Sequence, residues 1–356
     1  MRGDSLLNAA SDNAMNGYQR IHRLLEGKPV DRIPVVPIFM AWSAEYAGFT
    51  YRRFQLDHRV MAECVLRTQE RFGFDQISVI SDPYRETHDY GARIEYRDHG
   101  VGKMIEPLMA SPADVRKLRR MKIEETTRML DRAKGVEPLA RARKGELSIL
   151  GWLEGPMAEF ATLCTTEAAL VFALTEPEFF NDACAVIVDN AIEWGRAQIE
   201  AGADMIGVGD AAASLLSPQL YRDLVLPWEK KLFSAIHAAG APVRLHICGN
   251  VNHIVEDMAA SGADAIDVDW MVDLPRTRRL IGPDIALFGQ FDPSAVLRWG
   301  TPQAVAAHAR KNIAEGGAKF GLMPGCEVPP QTPEANIEAF CPCEGCLIAD
   351  ALARPH

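Results

Sequence analysis

The chain has 356 residues, 48% of them hydrophobic and 24% charged, with a formal net charge of -10. That is the composition of a globular protein holding one large domain or two average ones, and its acidic balance argues against a nucleic-acid or anionic-membrane surface. No run of about 18 apolar residues suits a membrane span, and the polar stretch before Asn16 lacks the apolar core of a signal peptide.

Tyr18, Ile21, Leu24 and Leu25 recur at helical spacing over residues 14–27, and Gly27 and Pro29 end that helix. Ile33 to Phe39 reads as a first strand, residues 57–72 as an amphipathic helix, and Gln76 to Ser81 as a second strand ending at Asp82. Residues 92–96 and 102–105 flank Asp98-His99-Gly100 as a hairpin set into a loop. Charged helical sequence fills 112–144, and Ser148 to Trp152 is a third strand, ending Leu153-Glu154-Gly155-Pro156. Helices follow at 166–175 and 177–201. The remaining strands run Asp204 to Val208, Val243 to Cys248, Ala265 to Asp269, Ile285 to Gly289 and Phe320 to Met323, with helical sequence at 217–239, 251–260, 273–281, 302–315 and 333–340.

Eight short apolar strands alternating with helices predict an α/β fold with a parallel sheet, closed as a (β/α)8 TIM barrel. A doubly wound open sheet is the alternative, but no Gly-x-Gly-x-x-Gly follows the first strand. Without an interdomain linker, residues 1–356 read as a single domain, with a helical lead-in over 1–30 and a Cys-containing tail over 341–356. The scattered cysteines do not resemble a secreted disulfide framework and point to a reducing cytoplasm.

A barrel of this kind carries its active site at the C-terminal ends of its strands. Those ends offer Phe39 and Met40, Asp82, Glu154, Asp210, His246 with Cys248, Asp267 with Asp269, Gln290 with Asp292, and Cys326. Asp210 and Asp292 equally suit helix capping or turns. In Leu245-His246-Ile247-Cys248-Gly249-Asn250, the histidine and cysteine stand two apart on a strand and share a face. An imidazole and a thiolate side by side suit zinc, whereas a core histidine with buried free cysteines is the plain alternative. His246, Cys248 and Cys326 would leave zinc an open fourth position, and Asp267 or Asp269 would be either a displaceable fourth ligand or a partner orienting His246.

With His-Ile-Cys-Gly-Asn and Pro-Gly-Cys in view, the chain resembles the uroporphyrinogen decarboxylase superfamily. The likeness runs from Gly27-Lys28-Pro29-Val30-Asp31-Arg32-Ile33-Pro34 to Ala335-Asn336-Ile337. Within it the chain looks like the cobamide-dependent methyltransferase branch, including methylcobamide:coenzyme M methyltransferases and corrinoid demethylation methyltransferases. That branch carries His-x-Cys on one strand and a distant Cys, here His246, Cys248 and Cys326. The resemblance implies the same barrel, zinc as cofactor, and a corrinoid carried by a partner protein, since no Asp-x-His-x-x-Gly motif is present. A methyl group would then pass to a small-molecule thiol, or from a methoxylated or similar donor to the corrinoid. Two departures stand out. Phe39-Met40-Ala41-Trp42-Ser43-Ala44 replaces the arginine-bearing stretch of porphyrinogen decarboxylases, and Asp267-Val268-Asp269-Trp270 stands where the branch often has a glutamate. Porphyrinogen decarboxylation and a metal-binding barrel without turnover are the alternative functions.

Glu154 and, behind it, Asp82 are the candidates for proton transfer. Phe39, Met40, Tyr84, Trp152, Asp210 and Gln290 are the candidate substrate contacts. Cys341, Cys343 and Cys346 would suit a second soft metal, a redox pair or an unstructured tail.

Overall fold

The computed structural model describes residues 14–342. Seven parallel strands form its main sheet: β1 (Gln76–Ser78), β4 (Ser148–Glu154), β5 (Met205–Gly209), β6 (Val243–His246), β7 (Ala265–Asp267), β8 (Ala286–Gly289) and β9 (Phe320–Leu322), each beside its neighbour in that order. The predicted hairpin is present as the short antiparallel pair β2 (Ile94–Glu95) and β3 (Lys103–Met104). Helices lie outside the sheet, as parallel connections require, and the strands are buried on both faces.

The predicted first strand, Ile33 to Phe39, is not a regular strand but closes the barrel. Val36 N donates to Leu322 O (2.9 Å) and Leu322 N to Pro34 O (2.8 Å) on one side, while Asp75 N donates to Val35 O (2.8 Å) on the other. Pro34 and Pro37 lack the N–H groups that a continuous ladder needs, so this segment joins both sheet edges through few bonds. The curled sheet with this seam is the expected α/β barrel.

Several elements differ from the predicted ones. Cys248 and Asp269 lie just beyond strands that end at His246 and Asp267. Residues 112–144 break into two short 3₁₀ turns and one helix, Arg128–Arg143. The helix Pro156–Cys164, missing from the predicted set, starts directly after β4 with Pro156 at its first position, a placement proline favours. Two apolar clusters result. One fills the space between sheet and helices; the other, with Val36, Ile38, Leu150, Trp152, Met205, Phe288 and Met323, fills the barrel. Among the described residues no single helix is long and apolar enough to cross a membrane. Cys341 is buried; Cys343 and Cys346 lie outside the described residues.

Candidate metal centre

Strand register sets the site. Glu154 pairs with Gly209, Gly209 with His246, and His246 with Asp267, so these four stand in one row at the C-terminal rim of the sheet. Within that row the glycine is a requirement of space. A Cβ on Gly209 would lie 2.7 Å from the Trp152 ring, and one on Gly207 2.4 Å from it. The indole therefore lies across β5, 6.1 Å from the His246 ring, and its Nε1 donates to Glu154 Oε1 (3.1 Å).

His246, Cys248 and Cys326 converge at this rim, with one ligand atom of each within 4.8 Å of the others. His246 Nε2 is 3.8 Å from Cys326 Sγ. Zinc bonds of about 2.0 Å to nitrogen and about 2.3 Å to sulfur at a tetrahedral angle place such atoms roughly 3.5 Å apart. The donor set and its spacing therefore fit zinc. The other imidazole nitrogen, Nδ1, is 3.0 Å from Asp267 Oδ2, an arrangement that directs Nε2 toward the thiols. Asp267 is itself gripped by Arg244 Nε at 2.8 and 3.0 Å. Arg244 lies inside the barrel, over the Phe288 ring and bonded to the Gln76 carboxamide. A buried chain Arg244–Asp267–His246 thus fixes the imidazole. Sequence reasoning missed Arg244, although its place two residues before His246 on the same inward face was a usable signal.

Electrostatics follow this geometry. Burial lowers the His246 pKa, but the Asp267 bond and the Cys326 sulfur outweigh it and raise the imidazole to about 10. One hydrogen bond couples the two thiols. A hydrogen bond from Cys326 lowers Cys248, and that same bond, with burial, pushes Cys326 well up. Metal binding here must release protons, because thiolates and neutral imidazole are the ligand forms.

Asp269 stands outside the convergent group. Its Oδ2 accepts from Gly249 N (2.8 Å) and its Oδ1 from Trp270 N (2.7 Å). A Cβ on Gly325 would meet Asp269 Oδ1 at 2.3 Å, so the Cys326 loop can lie this close only with glycine there. Asp269 thus braces the Cys248 loop where the Cys326 loop packs against it, and is not among the three converging ligand atoms.

Glu154 lies almost wholly inside and lines a cavity of about 550 Å³ with Tyr84, Lys103, Met104, Ala158, Thr162 and Leu215. Burial, then the adjacent Glu86 carboxyl, pushes the Glu154 pKa up to about 8. Of the predicted contacts, Tyr84 lines this cavity and Trp152 sits between Glu154 and His246.

The others are elsewhere. Asp82, the second proton-transfer candidate, is buried and paired with Arg128 (2.8 Å). Burial alone would raise its pKa, but Arg128, Arg85 and Arg132 hold it below the usual carboxylate range, so it has no proton to give at neutral pH. Phe39 packs in the outer core against Trp42, Phe72 and Phe74. Met40 is half-buried, with its sulfur 3.9 Å from the Tyr51 hydroxyl. Asp210 caps the helix Pro156–Cys164, accepting from Ala158 N (2.5 Å), and Asp292 caps the turn after β8 through Ser294 N and Ala295 N. The Gln290 amide donates to Val272 O and borders a different groove, beside Trp270, His308 and Lys311.

A parallel α/β barrel whose mouth gathers an oriented imidazole, two thiols and a buried carboxyl defines the class: a barrel with a donor set that fits a soft metal beside a small-molecule cavity. A sequence profile described as Uroporphyrinogen decarboxylase (URO-D) matches residues 16–343, and the chain belongs to that family. It is 33% identical over 282 residues to a uroporphyrinogen decarboxylase of Nocardia farcinica, covering 78% of this chain and 77% of that one. It is also 29% identical over 340 residues to a methylcobamide:CoM methyltransferase of Methanosarcina mazei, covering 91% and 96%. A second methylcobamide:CoM methyltransferase, from Methanosarcina barkeri, is 28% identical over 339 residues, covering 90% and 95%. Among solved structures, a methyltransferase from Methanosarcina mazei has the same fold, with a TM-score of 0.84 and 22% identity over 92% of this chain and 97% of that one.

Proposed function

We propose that this protein is a methyltransferase that moves a methyl group between a small molecule and a corrinoid carried by a separate partner protein, with zinc held by His246, Cys248 and Cys326. The observation that carries this reading is the convergence of those three side chains beside a cavity that also contains Glu154. Near full-length likeness to methylcobamide:CoM methyltransferases supports it.

Bound zinc would supply Lewis acidity, or hold a substrate sulfur as thiolate. The chain's own residues do the rest. Asp267 and Arg244 orient His246, and Asp269 braces the Cys248 loop. The cavity receives the small molecule. Glu154 holds a proton beside it for a leaving atom. The apolar lining and the absence of arginine from Phe39 to Ala44 favour a methyl donor bound in the barrel over a small sulfonated thiol. We take the whole chain as one catalytic domain, since the core inside the barrel and the core around it share the same strands.

The relative named uroporphyrinogen decarboxylase motivates a second reading, a porphyrinogen decarboxylase that needs no metal. Metal analysis with a paired assay separates the two. The proposed function predicts about one zinc per chain and methyl exchange with free cob(I)alamin or methylcobalamin, lost in Cys326→Ala. Metal-independent loss of carboxyl groups from uroporphyrinogen would replace it.

A further inference from the structure

Cys326 is the ligand farthest from a regular element. His246 ends β6 and Cys248 follows closely, whereas β9 stops at Leu322 and a loop carries the third sulfur to them. That loop needs support of its own. The chain ties down the residue on each side of Cys326. Before it, Gly325 N donates to Phe291 O (2.9 Å), just beyond β8. After it, the half-buried Glu327 turns its side chain to the start of the molecule, where its Oε1 accepts Ala41 N at 3.1 Å, across 286 positions of sequence.

Ala41 opens the helix Ala41–Tyr46, and the residue before it, Met40, makes no side-chain cap. The first N–H of that helix has no partner within the helix, so Glu327 supplies the acceptor a cap would give. The same two segments meet through three further bonds. Val328 N donates to Ile38 O (2.9 Å), Trp42 Nε1 to Thr332 O (2.8 Å) and Gln331 N to Glu45 Oε2 (3.2 Å). The segment that Glu327 grips continues the seam that closes the barrel, where Pro34 and Pro37 interrupt the ladder. The third ligand thus leans on the seam and not on a continuous sheet. Glu327 itself is not among the converging ligand atoms, although carboxylate oxygens also bind zinc.

We infer that Glu327 is a positioning residue for the metal. By capping the helix that follows the seam, it sets the loop from which Cys326 reaches zinc, so that zinc binding and closure of the seam favour one another. This rests on the reading of His246, Cys248 and Cys326 as the zinc centre, and needs neither corrinoid nor methyl donor. Without the cap the loop is freer, and binding the metal must then also order Cys326, at a cost in affinity. The coupling is reciprocal: whatever the closed seam adds to zinc binding, bound zinc adds to the closed seam. Glu327 touches neither metal nor substrate, and acts through Cys326 alone.

The test uses the full chain. Glu327→Ala removes the acceptor for Ala41 N, and Glu327→Gln keeps an oxygen in its place. Zinc competition against a chelator should show affinity weaker by about 10-fold or more in Glu327→Ala, and close to the parent's in Glu327→Gln. Cobalt(II) in place of zinc gives a thiolate charge-transfer band that grows with the number of cysteine ligands. That band should weaken in Glu327→Ala, as Cys326 leaves the metal, and keep the parent's intensity in Glu327→Gln. Hydrogen exchange over residues 38–46 should slow when zinc is added to the parent, and zinc should no longer slow it in Glu327→Ala. A Glu327→Ala protein that melts earlier but keeps the parent's zinc affinity and cobalt band makes Glu327 a helix cap only, and overturns the inference. Equal loss of metal in both variants makes the carboxylate a ligand, and overturns it too. Should Glu327→Ala fail to fold, the parent decides: exchange over 38–46 that zinc leaves unmoved counts against the coupling, and slowed exchange supports it. A parent that binds no zinc overturns this inference together with the metal centre. Metal binding that follows Glu327 as described, in a protein that transfers no methyl group, would refute the proposed function and leave this inference standing.

Discussion

Asp267→Asn isolates the support of the metal centre from the metal ligands. The carboxylate meets two donors, Arg244 Nε and His246 Nδ1, from a position with 0% side-chain exposure, and Arg244 is 1% exposed. An asparagine of the same shape brings no charge, and its one oxygen, even at the Oδ2 position 3.0 Å from both donors, is a weaker acceptor that the two must share. Arg244 is then a buried cation without its counter-ion, which typically costs about 3–5 kcal/mol of folding stability. The imidazole loses its orienting partner, worth roughly 10–100-fold in metal affinity. Urea unfolding of the metal-free protein and zinc competition against a chelator measure the two effects separately. His246→Ala is the control, since it keeps the Arg244–Asp267 pair and should lose zinc with a smaller loss of stability. An Asp267→Asn protein that unfolds with the parent and binds zinc equally well would refute the proposed chain from Arg244 to the metal.

Cys248→Ala and Cys326→Ala should each abolish stoichiometric zinc by elemental analysis while circular dichroism shows the barrel intact. Glu154→Gln should lower the rate of methyl loss from a methoxylated donor by about 10²–10⁴-fold if Glu154 is the acid, seen by following product in single turnover. Asp82→Asn should act on stability, because it leaves Arg128 buried without its partner; an unchanged unfolding midpoint would contradict that role. His246 is raised from 6.5 to about 10, so its ion pair stabilises the metal-free fold fully below pH 6.5, and this contribution is lost as pH rises through 10. The pH slope of stability in that window should shrink in His246→Ala.

The convergence of His246, Cys248 and Cys326 was legible because its signals are local: two soft donors two apart at a strand end, and a third after a Pro-Gly turn. Barrel class and seven of the eight predicted parallel strands were legible from alternation; the first segment, carrying Pro34 and Pro37, pairs with both sheet edges without forming a regular strand. What escaped were features set by contacts distant in sequence. Phe39 has the residue type of a substrate contact, but the cluster it joins includes Phe72 and Phe74 from another element. Asp269 could be weighed as ligand or orienting partner, and only the structure reveals its bond to Gly249 and the close approach of Gly325. Asp210 caps a helix that precedes it by more than 40 residues, which no local capping pattern encodes. Glu86 gives no signal at all; its partner Glu154 lies 68 positions away.

The most direct measurement is methyl exchange with free cobalamin in the zinc-loaded protein, followed by the visible spectrum as cob(I)alamin becomes methylcobalamin in the presence of methoxylated donors. The account predicts conversion that requires zinc and is abolished in Cys326→Ala. Full conversion by that variant, or by protein stripped of metal, would contradict the assignment of His246, Cys248 and Cys326 as the working centre.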